Sequence, residues 1–310
     1  MLSAAGPIFP AHWAVALVTI TITLALNAFE NAIREAPDDV RLRYECDQLW
    51  KRLGRSPADR IERLEQRLDL VQNSDDLSLE YCALLNQVGR SQDAEAILQS
   101  RIFQPWEGGE GVALGQHVRT NLLLGRKALD HGDAKAAVAR FSSALASPSN
   151  LGEAKHLLAN QSDIHYWLGC AVASTGNDAG ARRSWQWAAD FRGDFQNMEV
   201  QSFSEMTYYS ALAMRKLGRE EEANGLLEGL LAYAKDLEAE QAKIDYFATS
   251  LPTMLLFEAD IQFDQVTTAL FLQAQAKLGL GDAEAANALL KTVLDRNPNH
   301  ALAQDLVGRS

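Results

Sequence analysis

Two stretches of this chain run in step with each other. They are Leu124-Gly125 … Gly132-Asp133 … Ala137 … Phe141 … Ala144 and Leu168-Gly169 … Gly176-Asn177 … Ala181 … Trp185 … Ala188. In both, the first glycine precedes the first alanine by 12 residues, the aromatic follows 4 later, and the last alanine 3 after that. Small residues at such points let two helices approach closely, and the aromatic fills the groove between them. The Gly-Asp or Gly-Asn pair supplies the turn and the N-cap of the second helix. Units of this kind stack on their neighbours to bury a continuous apolar core, so the repeat commits the chain to an all-helical array.

Further copies follow the same template: Cys82, Gly89, Ala94 and Leu98; Ala211, Gly218, Ala223, Leu227 and Leu230; Ala274, Gly281, Ala286, Leu290, Val293 and Pro298. Upstream, Ala25, Phe29, Ala32 and Pro37 match the second helix of a unit. The pattern resembles the tetratricopeptide repeat (TPR), a helix–turn–helix of 34 residues built on small residues, an aromatic and a terminal proline. That resemblance implies an all-α, right-handed α-solenoid of about seven TPR-like helix pairs over residues 1–310, with 1–37 a partial first repeat. Ala94, Ala137, Ala181 and Ala223 step by 43, 44 and 42 residues, so each unit carries about nine residues beyond the consensus. Ala223 to Ala286 is 63, which places an insert near 233–263. Loops on a rigid scaffold are where recognition residues concentrate.

Composition narrows the function. A net charge of −12 speaks against a nucleic-acid-binding face, which needs clustered Lys and Arg. The cysteines Cys46, Cys82 and Cys170 lack C-x-x-C spacing, so they form neither a disulfide framework nor a zinc site, and a reducing, cytoplasmic setting fits them. No charged side chain precedes Glu30, and Trp13 to Leu26 is apolar apart from three threonines. A signal peptide usually places Lys or Arg ahead of its apolar core, and a spanning helix needs about 20 apolar residues, whereas Pro10, His12 and Asn27 bracket a shorter run. The repeat pattern favours a buried solenoid helix there over a signal, an anchor or a non-native start.

A second resemblance lies in longer phrases: Asp47-Gln48-Leu49-Trp50-Lys51-Arg52-Leu53-Gly54, Pro105-Trp106-Glu107-Gly108-Gly109-Glu110-Gly111, Asn150-Leu151-Gly152-Glu153, Asp163-Ile164-His165-Tyr166-Trp167-Leu168-Gly169 and Asp245-Tyr246-Phe247-Ala248-x-Ser250-Leu251-Pro252. They are similar to the C-terminal helical region of large bacterial TPR proteins that carry an upstream mutarotase-like β-sandwich of unknown function. The resemblance implies a β-sandwich partner domain and, by analogy of fold alone, a link with carbohydrate.

The loop from Trp106 to Gly111 departs furthest from the repeat. Its glycines permit close approach by another group, and Trp106, Glu107 and Glu110 suit a sugar or a cationic ligand; an ordinary inter-repeat turn is the plainer reading. On the TPR template, Asp163, Tyr166, Cys170, Ala173 and Ser174 face the concave groove, as do Arg119, Arg126 and Asp130 and then Glu205, Tyr208, Arg215 and Lys216. His165 falls on a packing position, where a satisfied core histidine is the expectation. Asp245 and Tyr246 either line the same groove or cap a helix before Leu251-Pro252.

Enzyme signatures in the sequence are poor. There is no G-x-x-x-x-G-K-[ST], H-E-x-x-H or G-x-S-x-G, and Glu284 stands where Gly279-Leu280-Gly281 would need a third glycine. Scattered histidines give no metal spacing, and no cofactor is expected. Carboxylates at Glu107, Glu110, Glu153, Asp163 and Asp245 leave glycoside hydrolysis open. The expected function is a non-catalytic scaffold that takes a protein or peptide, or a docked domain, in its groove, with no nucleic-acid or membrane partner. The alternative is an accessory module for carbohydrate binding or processing, using the Trp106–Gly111 loop and the groove carboxylates.

Overall fold

A computed structural model describes residues 24–104, 109–196, 199–242 and 261–307. Helix α1 covers 24–35 and is followed by α2 (Val40–Arg52), α3 (Pro57–Glu65), the short α4 (Leu68–Val71), α5 (Asp75–Gln87) and α6 (Ser91–Ser100). Then come α7 (Val112–Asp130), α8 (Ala134–Leu145), α9 (Ser162–Ser174), α10 (Asp178–Asp190), α11 (Thr207–Lys216) and α12 (Glu220–Ala239). Helices α13 (Ile261–Gly279), α14 (Ala283–Arg296) and α15 (Ala301–Leu306) complete the array. Among the described residues the sheet content is one antiparallel hairpin, β1 (Asp194–Gln196) with β2 (Glu199–Gln201), set between α10 and α11. No helix among them is long and apolar enough to cross a membrane.

The turns show why the helices break where they do. Gly132, Gly176 and Gly281 hold φ of 77°, 82° and 88°, a left-handed conformation that ends the first helix of a pair. The next residue opens the second: Asp133 accepts from the Ala136 N–H at 3.0 Å, Asn177 from Gly180 at 2.9 Å and Asp282 from Ala285 at 3.2 Å. Gly89 and Gly218 make the same turn without a capping side chain; there Arg90 pairs with Asp93 and Arg219 with Glu222 across the first turn.

Packing follows the alanine register. Ala94, Ala137, Ala144, Ala181, Ala188, Ala223 and Ala286 are all fully buried, each in the second helix of its pair. The aromatic sits on a glycine of the first helix: a Cβ on Gly125 would lie 2.5 Å from Phe141, and one on Gly169 would lie 2.4 Å from Trp185. Small-against-large packing of this kind makes α7–α8 and α9–α10 close pairs. Enlarging a seat should therefore overpack it, and Ala181→Leu is expected to cost on the order of 1–3 kcal/mol. Urea unfolding tests this, and an unchanged midpoint would refute the register.

The described residues hold six such pairs (α2–α3, α5–α6, α7–α8, α9–α10, α11–α12, α13–α14), with α1 and α15 at either end. The extra length of the middle units lies in the links between pairs, including the 146–161 link and the hairpin. Of the insert expected near 233–263, residues up to Ala239 continue α12 and Ile261 opens α13, while 243–260 lie outside the described residues. Residues 1–23 do too.

The two ends of the array meet. Arg60 of α3 is fully buried and gives both Nε and Nη2 to Asp47, at 3.0 and 2.5 Å, and Nη2 also to Glu80 at 2.6 Å. Its Nη1 donates to Asn299 Oδ1 at 2.8 Å, and Asn299 in turn donates to the Arg55 carbonyl at 3.0 Å. Pro298 lies against Gly54. Beyond it, Asp305 forms a two-point ion pair with Arg119 of α7 at 2.9 and 3.2 Å. The solenoid thus closes on itself, and its last helix crosses α5 and α7.

Candidate functional site

Closure leaves a cavity of about 1300 Å³ on the concave side. The first helices of successive pairs supply its wall: Arg119, Leu122 and Arg126 from α7, Asp163 and Trp167 from α9, Tyr209 from α11, and Phe271 and Gln275 from α13. Helix α15 contributes Leu302, Asp305 and Leu306.

Of the residues the repeat register assigned to the groove, Arg119, Arg126, Asp163 and Glu205 border this cavity, and so does Glu110 of the glycine-rich loop. Tyr166 and Tyr208 do not line it; their chain neighbours Trp167 and Tyr209 do. Tyr208 is 8% exposed and belongs to a core cluster with Met214 and Phe271. One residue is a rotation of about 100° around a helix. At Tyr166 and Tyr208 it is therefore the next residue that faces the cavity, while Asp163 on α9 faces it at its template position. Arg215 is also drawn away, donating to the Gly279 carbonyl and pairing with Glu220. Trp106, Glu107, Asp245 and Tyr246 lie outside the described residues.

The carboxylates divide by role. Glu153 accepts the Gly111 N–H at 2.5 Å and the Leu114 N–H at 3.0 Å, so it caps the start of α7, where Gly111 holds φ of 79°. Its neighbour Asn150 donates to the Leu98 and Arg101 carbonyls, both at 2.8 Å, and accepts from the Phe103 N–H through its own carbonyl. Asn150-Leu151-Gly152-Glu153 is therefore a clasp between successive links. Nothing in its sequence spacing signals that, because its partners lie between 39 and 52 residues back.

Asp163 remains in the cavity wall. Burial pushes its carboxyl up to about 6, against the Ile164 N–H that it accepts at 2.7 Å and the charge of Lys155. Burial likewise pulls the Lys155 ammonium down to about 8, with Asp163 opposing. Lys155 comes from the 146–161 link, tied by bonds from Nζ to the Ala144 carbonyl and, at 3.1 Å, to Gln161. No pattern in the sequence pointed to it. His165 is partly buried, its ring stacked at 5.9 Å on the exposed Trp187 and its pKa lowered by burial.

A raised carboxyl pKa costs stability in a definite window. Below about pH 4 both folded and unfolded chains hold the proton, and above about 6 the folded chain has given up the full difference. Stability from this group therefore falls as pH rises from about 4 to 6. Asp163→Asn should remove that slope and match or exceed the parent at pH 8, by about 1–2 kcal/mol once water in the cavity is allowed for. A variant less stable than the parent at both pH 5 and pH 8 would make Asp163 a structural cap.

Arg126 is 4% exposed and lies with its guanidinium 5.2 Å from the Trp167 ring. Its Nη2 donates to the Asp305 carbonyl at 2.7 Å, whereas Nε is buried with no hydrogen-bond partner among the described residues. Tyr209 approaches Tyr166 at 6.1 Å, and Trp167 meets Tyr166 edge-on at 5.2 Å. The wall thus carries an aromatic shelf, the Arg126 guanidinium beside Trp167, and at Asp163 a carboxyl raised by burial.

No family model matches the chain. Among solved structures, the TPR domain of P58(IPK) is similar at 15% identity over 94% of this chain and 95% of that one, with a TM-score of 0.29. The assignment to a TPR-like helical array rests on the chain's own register: buried alanines, aromatic-on-glycine seats and left-handed glycine turns at the repeat positions.

Proposed function

We propose that this chain is a non-catalytic scaffold that holds a polypeptide segment in the concave cavity. The observation that carries the reading is the wall itself, in which rigid helices present Arg119, Arg126, Asp163, Trp167 and Tyr209 to one space. Aromatic and arginine side chains are the usual anchors of a recognition surface, and mixed charge sets orientation. Glu153 is committed to capping α7, so it is not a free partner for acid–base chemistry with Asp163.

A photo-crosslinking residue at Leu122, used with an array of synthetic peptides and a parallel glycan array, tests this. Peptides should crosslink at that position, and Trp167→Ala should weaken the best of them by roughly 2 kcal/mol as a hot spot. Glycan binding lost in Trp167→Ala, without any peptide crosslink, would favour the carbohydrate alternative and overturn the reading.

A further inference from the structure

One side of the cavity is closed by a short segment of the same chain. Helix α15 turns Leu302, Asp305 and Leu306 toward it, an i, i+3, i+4 face. Asp305 supplies a carboxylate to Arg119 through two bonds and a main-chain carbonyl to Arg126. Ala303 and Leu306 complete the apolar side, joining the core cluster that contains Phe271 and Leu290. This is how a groove reads an amphipathic helix: leucine anchors on either side of one charged contact.

The seat is imperfectly filled. Among the described residues Arg126 Nε is buried at the cavity wall with no acceptor, and a buried donor left unpaired is a standing cost that a better ligand relieves. Helix α15 has only six residues, too few to be helical by itself, so its structure depends on the seat. The hinge is fixed separately: Asn299 is bound to Arg60 and Arg55, so α15 can leave while the preceding turn stays in place.

We propose that the Arg119–Arg126 side of the cavity wall is a recognition site for an acidic amphipathic helix from a partner protein, with leucine, an acidic residue three positions on and leucine next to it, and that α15 occupies this site in cis until such a helix displaces it. The proposal rests on the scaffold reading and specifies its ligand. An incoming helix that adds a second acidic group can satisfy Arg126 Nε, which α15 does not.

The probe is a fluorescein-labelled peptide of residues 297–307, titrated by anisotropy into the full-length chain. Asp305→Ala, which weakens the internal competitor, should bind it at least tenfold more tightly than the parent. Adding Arg119→Ala to that variant, or placing Asn for Asp in the peptide, should each undo the gain by tenfold or more. Hydrogen exchange on the parent chain gives a second reading that needs no variant: amides of 301–306 should exchange faster when unlabelled peptide is added. Equal binding by parent and Asp305→Ala together with unchanged exchange would overturn the proposal, as would equal binding of the Asn peptide. A concentration-dependent dimer that exchanges α15 between copies and ignores the peptide would overturn it in favour of a second copy as occupant. If array peptides still crosslink at Leu122 in any of these cases, the scaffold reading stands and only the identity of the ligand falls; with no crosslink, both fall.

Discussion

Replacing Arg60 by methionine is expected to lower the free energy of unfolding by on the order of 3–5 kcal/mol, the range for removing one partner of a buried ion pair. The guanidinium is fully buried and serves two carboxylates and the Asn299 amide at once. Methionine fills much of the volume and leaves Asp47 without its hydrogen-bonded countercharge, while Glu80 keeps Lys51 at 2.9 Å. The pH response carries a sign. Burial alone would raise the Glu80 carboxyl, yet the charges of Lys51 and Arg60 outweigh it and hold it at about 2. Its stabilisation is therefore complete above the ordinary glutamate value of about 4.3 and is lost as pH falls toward 2. The deficit of Arg60→Met relative to the parent should therefore be largest near neutral pH and shrink as pH falls toward 2. Because Arg60 holds Asn299, the turn 297–300 should also lose hydrogen-exchange protection in the variant before α7 and α9 do. A loss below about 1 kcal/mol would mean that the ends of the array close without this cluster.

Closure was also the feature least legible in the sequence. The Gly-Asp and Gly-Asn turns, the alanine seats and the aromatic-on-glycine contacts are local, acting within a unit of about forty residues, and their spacing gave them away. Arg60 and Asn299 are 239 residues apart. Their meeting depends on small rotations summed over every intervening pair, which no local pattern encodes. The site was legible to the same degree. Arg119, Arg126 and Asp163 came from the repeat register and border the cavity, whereas at Tyr166 and Tyr208 the next residue, about 100° further round the helix, borders it instead. Lys155 and the Glu153 cap come from links, whose conformation the repeat does not fix. The Trp106 loop had drawn attention by composition. Its Glu110 borders the cavity.

Phe141→Ala should cost about 3–5 kcal/mol, as expected for a fully buried aromatic whose space the neighbours fill only in part. The more discriminating experiment pairs it with Gly125, since the ring lies where a side chain at 125 would have to go. Gly125→Ala gains up to about 1 kcal/mol of helix propensity, but its methyl would sit 2.5 Å from Phe141 Cε1, so the net change should be a loss of about 1–3 kcal/mol. Combined with Phe141→Leu, which shortens the side chain, the alanine should cost less than it does alone. The coupling between the two should reach about 1 kcal/mol or more, the mark of residues in direct contact. The consequence extends to the cavity. Phe141 stacks on Trp167 at 6.4 Å, and Trp167 carries the guanidinium of Arg126. Loss of the Phe141 ring should therefore move the cavity's aromatic shelf and change Trp167 fluorescence under conditions where the chain is still folded. A purely additive double mutant would place Gly125 and Phe141 out of contact and undo the aromatic-on-glycine rule that relates this unit to its neighbours.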